Sequence, residues 1–144
     1  MDEDRYPNWD DLRTDLSKDD VRLMTYINPF LVDPAEKGSF KRNLFQEANE
    51  LGYLIKRDDG SPYMILNTSF SAAMVDLANP DAYEWLKSVI KDELLTVGSS
   101  GWMADFGEAL PFDAVLHDGI NAESYHNEYP EIWAKLNREA IEEA

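Results

Sequence analysis

GSSGWMADFGEALP, residues 98–111, combines a glycine-rich turn, a short apolar run and two carboxylates that flank a glycine. The run at residues 102–106 is typical of a strand in a packed sheet, and Asp105 and Glu108 lie where such a strand ends. In parallel α/β folds, ligands gather at the carboxyl ends of strands, because the loops there can vary without disturbing the sheet. Asp105 is therefore the first candidate for a chemical role.

A second strand and four amphipathic helices are predicted around this segment. Residues 21–27, VRLMTYI, are apolar or β-compatible on both faces except for Arg22, which indicates a strand buried under helices. Each helix has an apolar stripe, and the four are predicted at residues 8–18, 39–51, 80–97 and from about residue 130. Ser39 is the predicted N-cap of the second helix and Gly52 its left-handed C-terminal residue, and Asn79 is the predicted N-cap of the third.

Residues 53–66, YLIKRDDGSPYMIL, predict a β-hairpin, because two β-rich arms flank a turn of Asp, Gly, Ser and Pro. Residues 67–79 are polar and rich in small side chains, and no strand is predicted there. The order of elements implies parallel strands with crossovers, and no linker or repeat divides residues 1–144 into more than one domain. Two parallel strands cannot cover their own faces, so we expect neighbouring chains to complete the sheet or the chain to be a piece of something larger.

The composition is strongly acidic, since 29 Asp and Glu against 13 Lys and Arg give a formal net charge of −16. Such a charge repels phosphate backbones and anionic headgroups, so neither nucleic acid nor a membrane surface is an expected partner. The chain has no cysteine, which excludes disulfides and thiolate metal sites. Its N-terminus is acidic where a signal peptide would be basic and then apolar, so a cytoplasmic location is expected.

The two histidines do not predict a metal site. His117 and His126 lie nine residues apart, without the i, i+4 spacing of a zinc-binding helix. We interpret His126 as the anchor of a loop before the last helix. No phosphate loop or dinucleotide fingerprint is present, so no cofactor is expected. The four tryptophans are interpreted as packing residues and not as sugar-stacking platforms.

Five segments of the chain resemble, in order and spacing, segments of family 31 glycoside hydrolases, particularly of the sulfoquinovosidase-like branch. They are MTYINPFL at 24–31, KRDDGSPYMI at 56–65, VDLANP at 75–80, SGWMADFGEALPFDA at 100–114 and HNEYPEIWAKLNREA at 126–140. Those enzymes are retaining α-glycosidases with a (β/α)₈ barrel. The resemblance implies an α/β chain that is a fragment of such a TIM barrel: about two barrel strands, their flanking helices and an inserted β-hairpin.

The resemblance also implies site residues, a substrate class and a missing group. It makes Asp105 the catalytic nucleophile, while Glu108 is expected to support the site and not to transfer the proton itself. A retaining mechanism needs a second carboxyl about 5 to 5.5 Å from the first, and the family supplies it from a later strand, beyond Ala144. The full-length enzyme would act on a carbohydrate, an α-glucoside or a sulfoquinovoside, and the isolated chain is expected to be inactive.

A second interpretation does not require catalysis. The shortage of strands leaves open sheet edges, through which a non-catalytic barrel fragment would form a homo-oligomer or bind another partner.

Overall fold

The computed structural model describes residue 4 and residues 6–34 and 40–144. That part of the chain contains five α-helices and five β-strands. The helices are α1 (Trp9–Lys18), α2 (Leu44–Leu51), α3 (Pro80–Ile90), α4 (Ala122–Tyr125) and α5 (Tyr129–Glu142). The strands are β1 (Met24–Ile27), β2 (Phe30–Leu31), β3 (Met64–Asn67), β4 (Phe70–Met74) and β5 (Gly101–Ala104). Lys91–Leu95 extends α3 as a π-helical turn, and His117–Gly119 forms a short 3₁₀ turn.

The strands form two small sheets among the described residues. The first contains β1 and β5 side by side and parallel, in the register Met24 to Gly101 and Ile27 to Ala104. The second is antiparallel, in the order β2-β4-β3. The parallel pair and its crossover helices are as the sequence predicts, and this sheet does not close into a barrel within the described residues.

The inserted hairpin differs from the one predicted. The DDGSP turn does form, with the Arg57 N–H donating to the Ser61 carbonyl at 2.9 Å, but its ladder is one bridge between Lys56 and Pro62. The longer hairpin joins β3 to β4. Pattern reading misses β4 because its sequence FSAAM is dominated by small side chains, of which Ala72 and Ala73 are buried. Small residues at these positions let other elements pack closely against the central strand of the sheet.

Side-chain caps mark the starts of α2 and α3. The Asn79 side chain accepts a hydrogen bond from the Asp81 N–H at 2.9 Å, and Pro80 occupies the first turn, which is the start predicted for α3. The predicted start of α2 is wrong: Asn43 caps the helix by accepting from the Gln46 N–H at 3.0 Å. Ser39 lies outside the described residues. Gly52 ends α2 in the left-handed conformation, with φ 74°, as predicted.

The parallel strands are shorter and more exposed than predicted. β1 begins at Met24 and not at Val21, and both Met24 and Tyr26 are exposed. β5 ends at Ala104 because Phe106 adopts a φ of 59°, which extended backbone does not allow. The prediction of burial on both faces fails for these strands, since Met24, Tyr26 and Met103 are exposed on one face.

The main hydrophobic core lies between α3, α5 and the strands. The Tyr129 hydroxyl donates to the Val75 carbonyl at 2.7 Å within this core, so a buried polar atom is satisfied. Its largest fully buried members include Trp133, Tyr129, Ile55, Met74, Ile90, Leu110 and Leu136. None of the helices in the described part of the chain is both long and apolar enough to cross a membrane.

Candidate active site at the end of β5

Asp105 is the first residue after β5, and its backbone is held on two sides. Its N–H donates to the Ile27 carbonyl at 2.9 Å, which extends the parallel pairing by one residue. Its carbonyl accepts a hydrogen bond from the indole Nε1 of Trp133 at 3.1 Å. Trp133 is only 2% exposed, so the indole is fixed by the core. The position of Asp105 is therefore set by a strand on one side and by α5 on the other.

The Asp105 carboxylate lies on the open face of the β1–β5 sheet. Side chains alternate between the two faces of a strand, so Asp105 shares a face with Met103, and the register places Tyr26 beside Met103. The Tyr26 hydroxyl donates to Oδ2 of Asp105 at 2.9 Å. Tyr26 is 49% exposed and Met103 is 58% exposed, while Asp105 is half-buried. The carboxylate is thus both restrained and accessible.

The backbone reverses directly after Asp105. Phe106 and Gly107 both have positive φ, 59° and 124°. The Phe106 ring packs edge-on against Phe30, with centroids 5.9 Å apart. Gly107 is buried against α5, where a Cβ would come within 3.2 Å of the Pro130 Cα. Positive φ in a bulky residue is uncommon and tends to occur at functional sites.

Glu108 is exposed and is not joined to Asp105. Among the described residues it makes no hydrogen bond or ion pair. The structure therefore brings Asp105 together with Tyr26 and Trp133, not with Glu108. The supporting role expected of Glu108 stays a prediction.

The loop that follows Asp105 is anchored by side chains, including the one predicted histidine anchor. Nδ1 of His126 lies 2.6 Å from the Leu110 carbonyl, and its ring packs on Phe112 with centroids 4.5 Å apart. The Tyr63 hydroxyl donates to Oδ1 of Asp113 at 2.9 Å, which ties the loop to the DDGSP hairpin. These contacts fix the conformation of the loop.

Asp76 is the buried acid of the described core, and its contacts are structural. Its two carboxylate oxygens accept from the Ala78 N–H at 3.1 Å and the His117 N–H at 2.8 Å. Burial raises the pKa of the Asp76 carboxyl above its usual value, although these two N–H groups oppose the shift. Within the ranges that the structure describes, no group of three or more His, Cys, Asp and Glu side chains is arranged to hold a metal ion.

The indole N–H of each tryptophan donates to another part of the protein, which agrees with a packing role. The acceptors are the Val97 carbonyl for Trp9, Glu47 for Trp85, Asn137 for Trp102 and the Asp105 carbonyl for Trp133. Sequence reasoning missed the contact of Trp133 with Asp105 and that of Tyr26 with the same residue. Helical periodicity marks Trp133 as a core residue, but it does not show which loop its N–H reaches.

A family model and similar proteins of known name all assign the chain to the same family. The sequence matches the model of the glycosyl hydrolases family 31 TIM-barrel domain over residues 1–144. It is 41% identical over 140 residues to a sulfoquinovosidase of Escherichia coli (strain K12), covering 97% of this chain and 20% of that protein. A sulfoquinovosidase of Agrobacterium fabrum is 34% identical over 139 residues, covering 96% of this chain and 20% of its own length.

A solved structure supports the same assignment. A GH31 family sulfoquinovosidase from E. rectale, in complex with an aza-sugar inhibitor, superposes with a TM-score of 0.85 at 38% identity, covering 95% of this chain and 20% of that one. The chain therefore spans about a fifth of the length of these relatives. Since the family model matches along the whole printed sequence, the chain belongs to glycosyl hydrolase family 31 and corresponds to a fragment of its TIM-barrel domain.

Proposed function

We propose that the chain supplies the nucleophile strand of a retaining α-glycosidase, with Asp105 as the nucleophile. The observation that carries the proposal is the position of Asp105: one residue past β5, fixed by the Ile27 carbonyl and Trp133, with its carboxylate on the accessible face of the parallel sheet. Carboxyl ends of parallel strands are where barrel enzymes place catalytic groups. The similarity of the surrounding segment to family 31 supports the choice of this residue.

The reaction uses two displacements. In the first, a carboxylate oxygen of Asp105 bonds to the anomeric carbon, the bond from that carbon to the leaving oxygen breaks, and a second carboxylic acid protonates the leaving oxygen. In the second, water attacks the anomeric carbon, gives its proton to the second carboxylate and releases Asp105 as a carboxylate.

The substrate we propose is an α-sulfoquinovoside, with an α-glucoside as the alternative within the same reaction. Two of the similar proteins are named sulfoquinovosidases, at 41% and 34% identity. An α-xylosidase of Lactiplantibacillus pentosus is also similar, at 27% identity over 143 residues, so the match alone leaves the sugar to be tested.

The test is a transplant. In the E. coli sulfoquinovosidase, this chain replaces the 140 aligned residues, and hydrolysis of 4-nitrophenyl α-sulfoquinovoside and 4-nitrophenyl α-glucoside is measured. We expect Asp105→Asn to reduce kcat by roughly 10⁴-fold or more. The control is Asp113→Asn, which changes an exposed aspartate of the neighbouring loop. Equal activity of the two variants would reject Asp105 as the nucleophile.

We also propose that the 144 residues taken alone do not turn over substrate. The resemblance assigns the general acid to a later strand, and loss of a general acid removes on the order of 10² to 10⁴ in rate. The assay is incubation of the purified chain with the same activated glycosides. Turnover that Asp105→Asn abolishes would contradict the proposal.

A second candidate function is self-association without catalysis. It is favoured by the exposed apolar face of the β1–β5 sheet and by a cavity of about 680 Å³ along β1, which Trp9, Met24, Tyr26 and Phe40 help to line. An unpaired strand edge next to apolar side chains is a template for another chain. Sedimentation of the purified chain tests it, since a stable monomer that unfolds cooperatively would exclude assembly through the edges.

A further inference from the structure

The contact between Tyr26 and Asp105 assigns a role to a residue that the proposed function does not use. We propose that Tyr26 is a positioning residue: it holds Oδ2 of Asp105, so that Oδ1 is the oxygen that attacks the anomeric carbon. The inference rests on the proposed function, because it needs Asp105 to be the nucleophile. It concerns a specific atom, since the Tyr26 hydroxyl donates to Oδ2 at 2.9 Å.

The backbone makes this contact a fixed feature of the strand pair. The Asp105 N–H binds the Ile27 carbonyl at 2.9 Å, directly next to Tyr26. Tyr26 pairs in register with Met103, two residues before Asp105, and all three side chains share the open face. A tyrosine side chain has two main torsions, so a ring anchored on β1 holds its hydroxyl with little loss of conformational entropy.

The hydrogen bond from Tyr26 gives the two carboxylate oxygens of Asp105 different roles. Oδ2 accepts the Tyr26 proton, whereas Oδ1 accepts no hydrogen bond from any described residue. When Oδ1 bonds to the anomeric carbon, the carbon–oxygen bond to the aglycone breaks, and the second carboxylic acid protonates the aglycone oxygen. Oδ2 becomes the carbonyl oxygen of the ester and still accepts from Tyr26, which keeps its proton throughout. Fixing the attack geometry is the kind of restraint that displacement reactions depend on.

The chain offers a matched control for this contact. Tyr63 donates its hydroxyl to Oδ1 of Asp113, also at 2.9 Å and also near the surface. Removing either hydroxyl costs one tyrosine–aspartate hydrogen bond. Only the Tyr26 bond reaches the candidate nucleophile, so a purely structural role predicts the same outcome for both tyrosines.

The kinetic test uses the transplant of this chain into the E. coli sulfoquinovosidase. We expect Tyr26→Phe to lower kcat for 4-nitrophenyl α-sulfoquinovoside by about 10- to 100-fold with KM changed less than about twofold, because the restraint acts on the displacement and not on ground-state binding. Tyr63→Phe is expected to leave both constants unchanged, and the melting temperatures of the two variants should agree. Equal kinetics for Tyr26→Phe and Tyr63→Phe, or a rise in KM with kcat unchanged, would overturn the inference.

A spectroscopic test uses the 144-residue chain and needs no activity. With ¹³C at Cζ of every tyrosine, we expect Asp105→Ala to shift the Tyr26 resonance and leave that of Tyr63 in place, and Asp113→Ala to do the reverse. If the chemical shift of Tyr26 does not change in Asp105→Ala, the contact is rejected, whether or not the transplant folds. If the resonances respond as expected but Asp105→Asn leaves the transplant active, the failure lies in the proposed function and the positioning role falls with it.

Discussion

Gly107 holds the backbone turn that follows the candidate nucleophile, and we predict that it tolerates no side chain. Its φ is 124°, and a Cβ would lie 3.2 Å from the Pro130 Cα and 3.4 Å from Cδ1 of the buried Trp133. Gly107→Ala should therefore combine backbone strain with a clash against α5, and lower the free energy of unfolding by about 2 to 3 kcal/mol. Urea denaturation of the purified chain measures the loss.

Gly60 separates the two causes in the same experiment. It has a φ of 82° in the DDGSP turn, but a Cβ there would meet no atom within 4 Å. Gly60→Ala should cost about 1 kcal/mol from strain alone. If the two variants lost equal stability, the packing of Gly107 against α5 would contribute nothing.

At the scale of single residues, the sequence predicts where Asp105 lies but not what holds it. An acidic residue at the end of an apolar run is visible in the pattern, and the structure places it at the end of β5. Tyr26 is visible only as one residue of a strand, because its link to Asp105 depends on the β1–β5 register. Tyr26 and Asp105 are 79 residues apart in the sequence, and no local pattern encodes the register that brings them together.

At the scale of elements, a buried cation, Lys87, links helices α3 and α5. Lys87 is 5% exposed, and its ammonium lies 2.7 Å from Glu143, 2.9 Å from Glu84 and 3.4 Å from Glu139. The hydrogen bonds that the Lys87 ammonium donates to Glu143 and Glu84 hold the pKa of Lys87 above its usual value. We predict that Lys87→Met, which keeps the aliphatic stem, lowers the free energy of unfolding by about 1.5 to 3 kcal/mol, since hydrogen bonds to charged groups have that range.

The matched control for this prediction is Arg138→Met. Arg138 pairs with Glu142 at 2.7 Å on α5 alone, and the two side chains are 78% and 57% exposed. Such exposed pairs contribute about 0.5 kcal/mol or less. Urea denaturation of both variants compares a cation that joins two helices with one that does not. Equal losses would show that the burial of Lys87 adds nothing.

Among the elements, helices are predicted better than strands for a physical reason. Asn79 with Pro80 and the left-handed Gly52 are local signals, and the starts and ends that they predict are confirmed. β4 has no such signal, because Ala72 and Ala73 are selected by close packing with distant elements. The π-helical turn Lys91–Leu95 also lies within a segment whose pattern predicts an ordinary helix.

In the molecule as a whole, the helices cover one face of the parallel sheet and leave the other open. The shortage of strands read from the sequence is confirmed, since β1 pairs only with β5 among the described residues. The open face carries Met24, Tyr26, Met103 and the Asp105 carboxylate. The exposed apolar side chains and the candidate site therefore lie on the same face. The two proposed functions differ in what binds there: a sugar in one case and another protein chain in the other.

We predict that the isolated chain associates through this open face and that one charge there disrupts the contact. Met103 is 58% exposed in the middle of the face, so Met103→Lys should shift the chain toward monomer in sedimentation velocity runs across a range of concentrations. The control is Leu66→Lys: Leu66 is 77% exposed on β3, and the substitution makes the same change in a net charge of −16. Added salt should strengthen association of the wild type, because it screens repulsion between acidic chains. Two outcomes would exclude the open face as the contact: a monomer at every protein and salt concentration, or equal effects of Met103→Lys and Leu66→Lys. The exposed side chains of this face would then be explained by catalysis within a longer barrel.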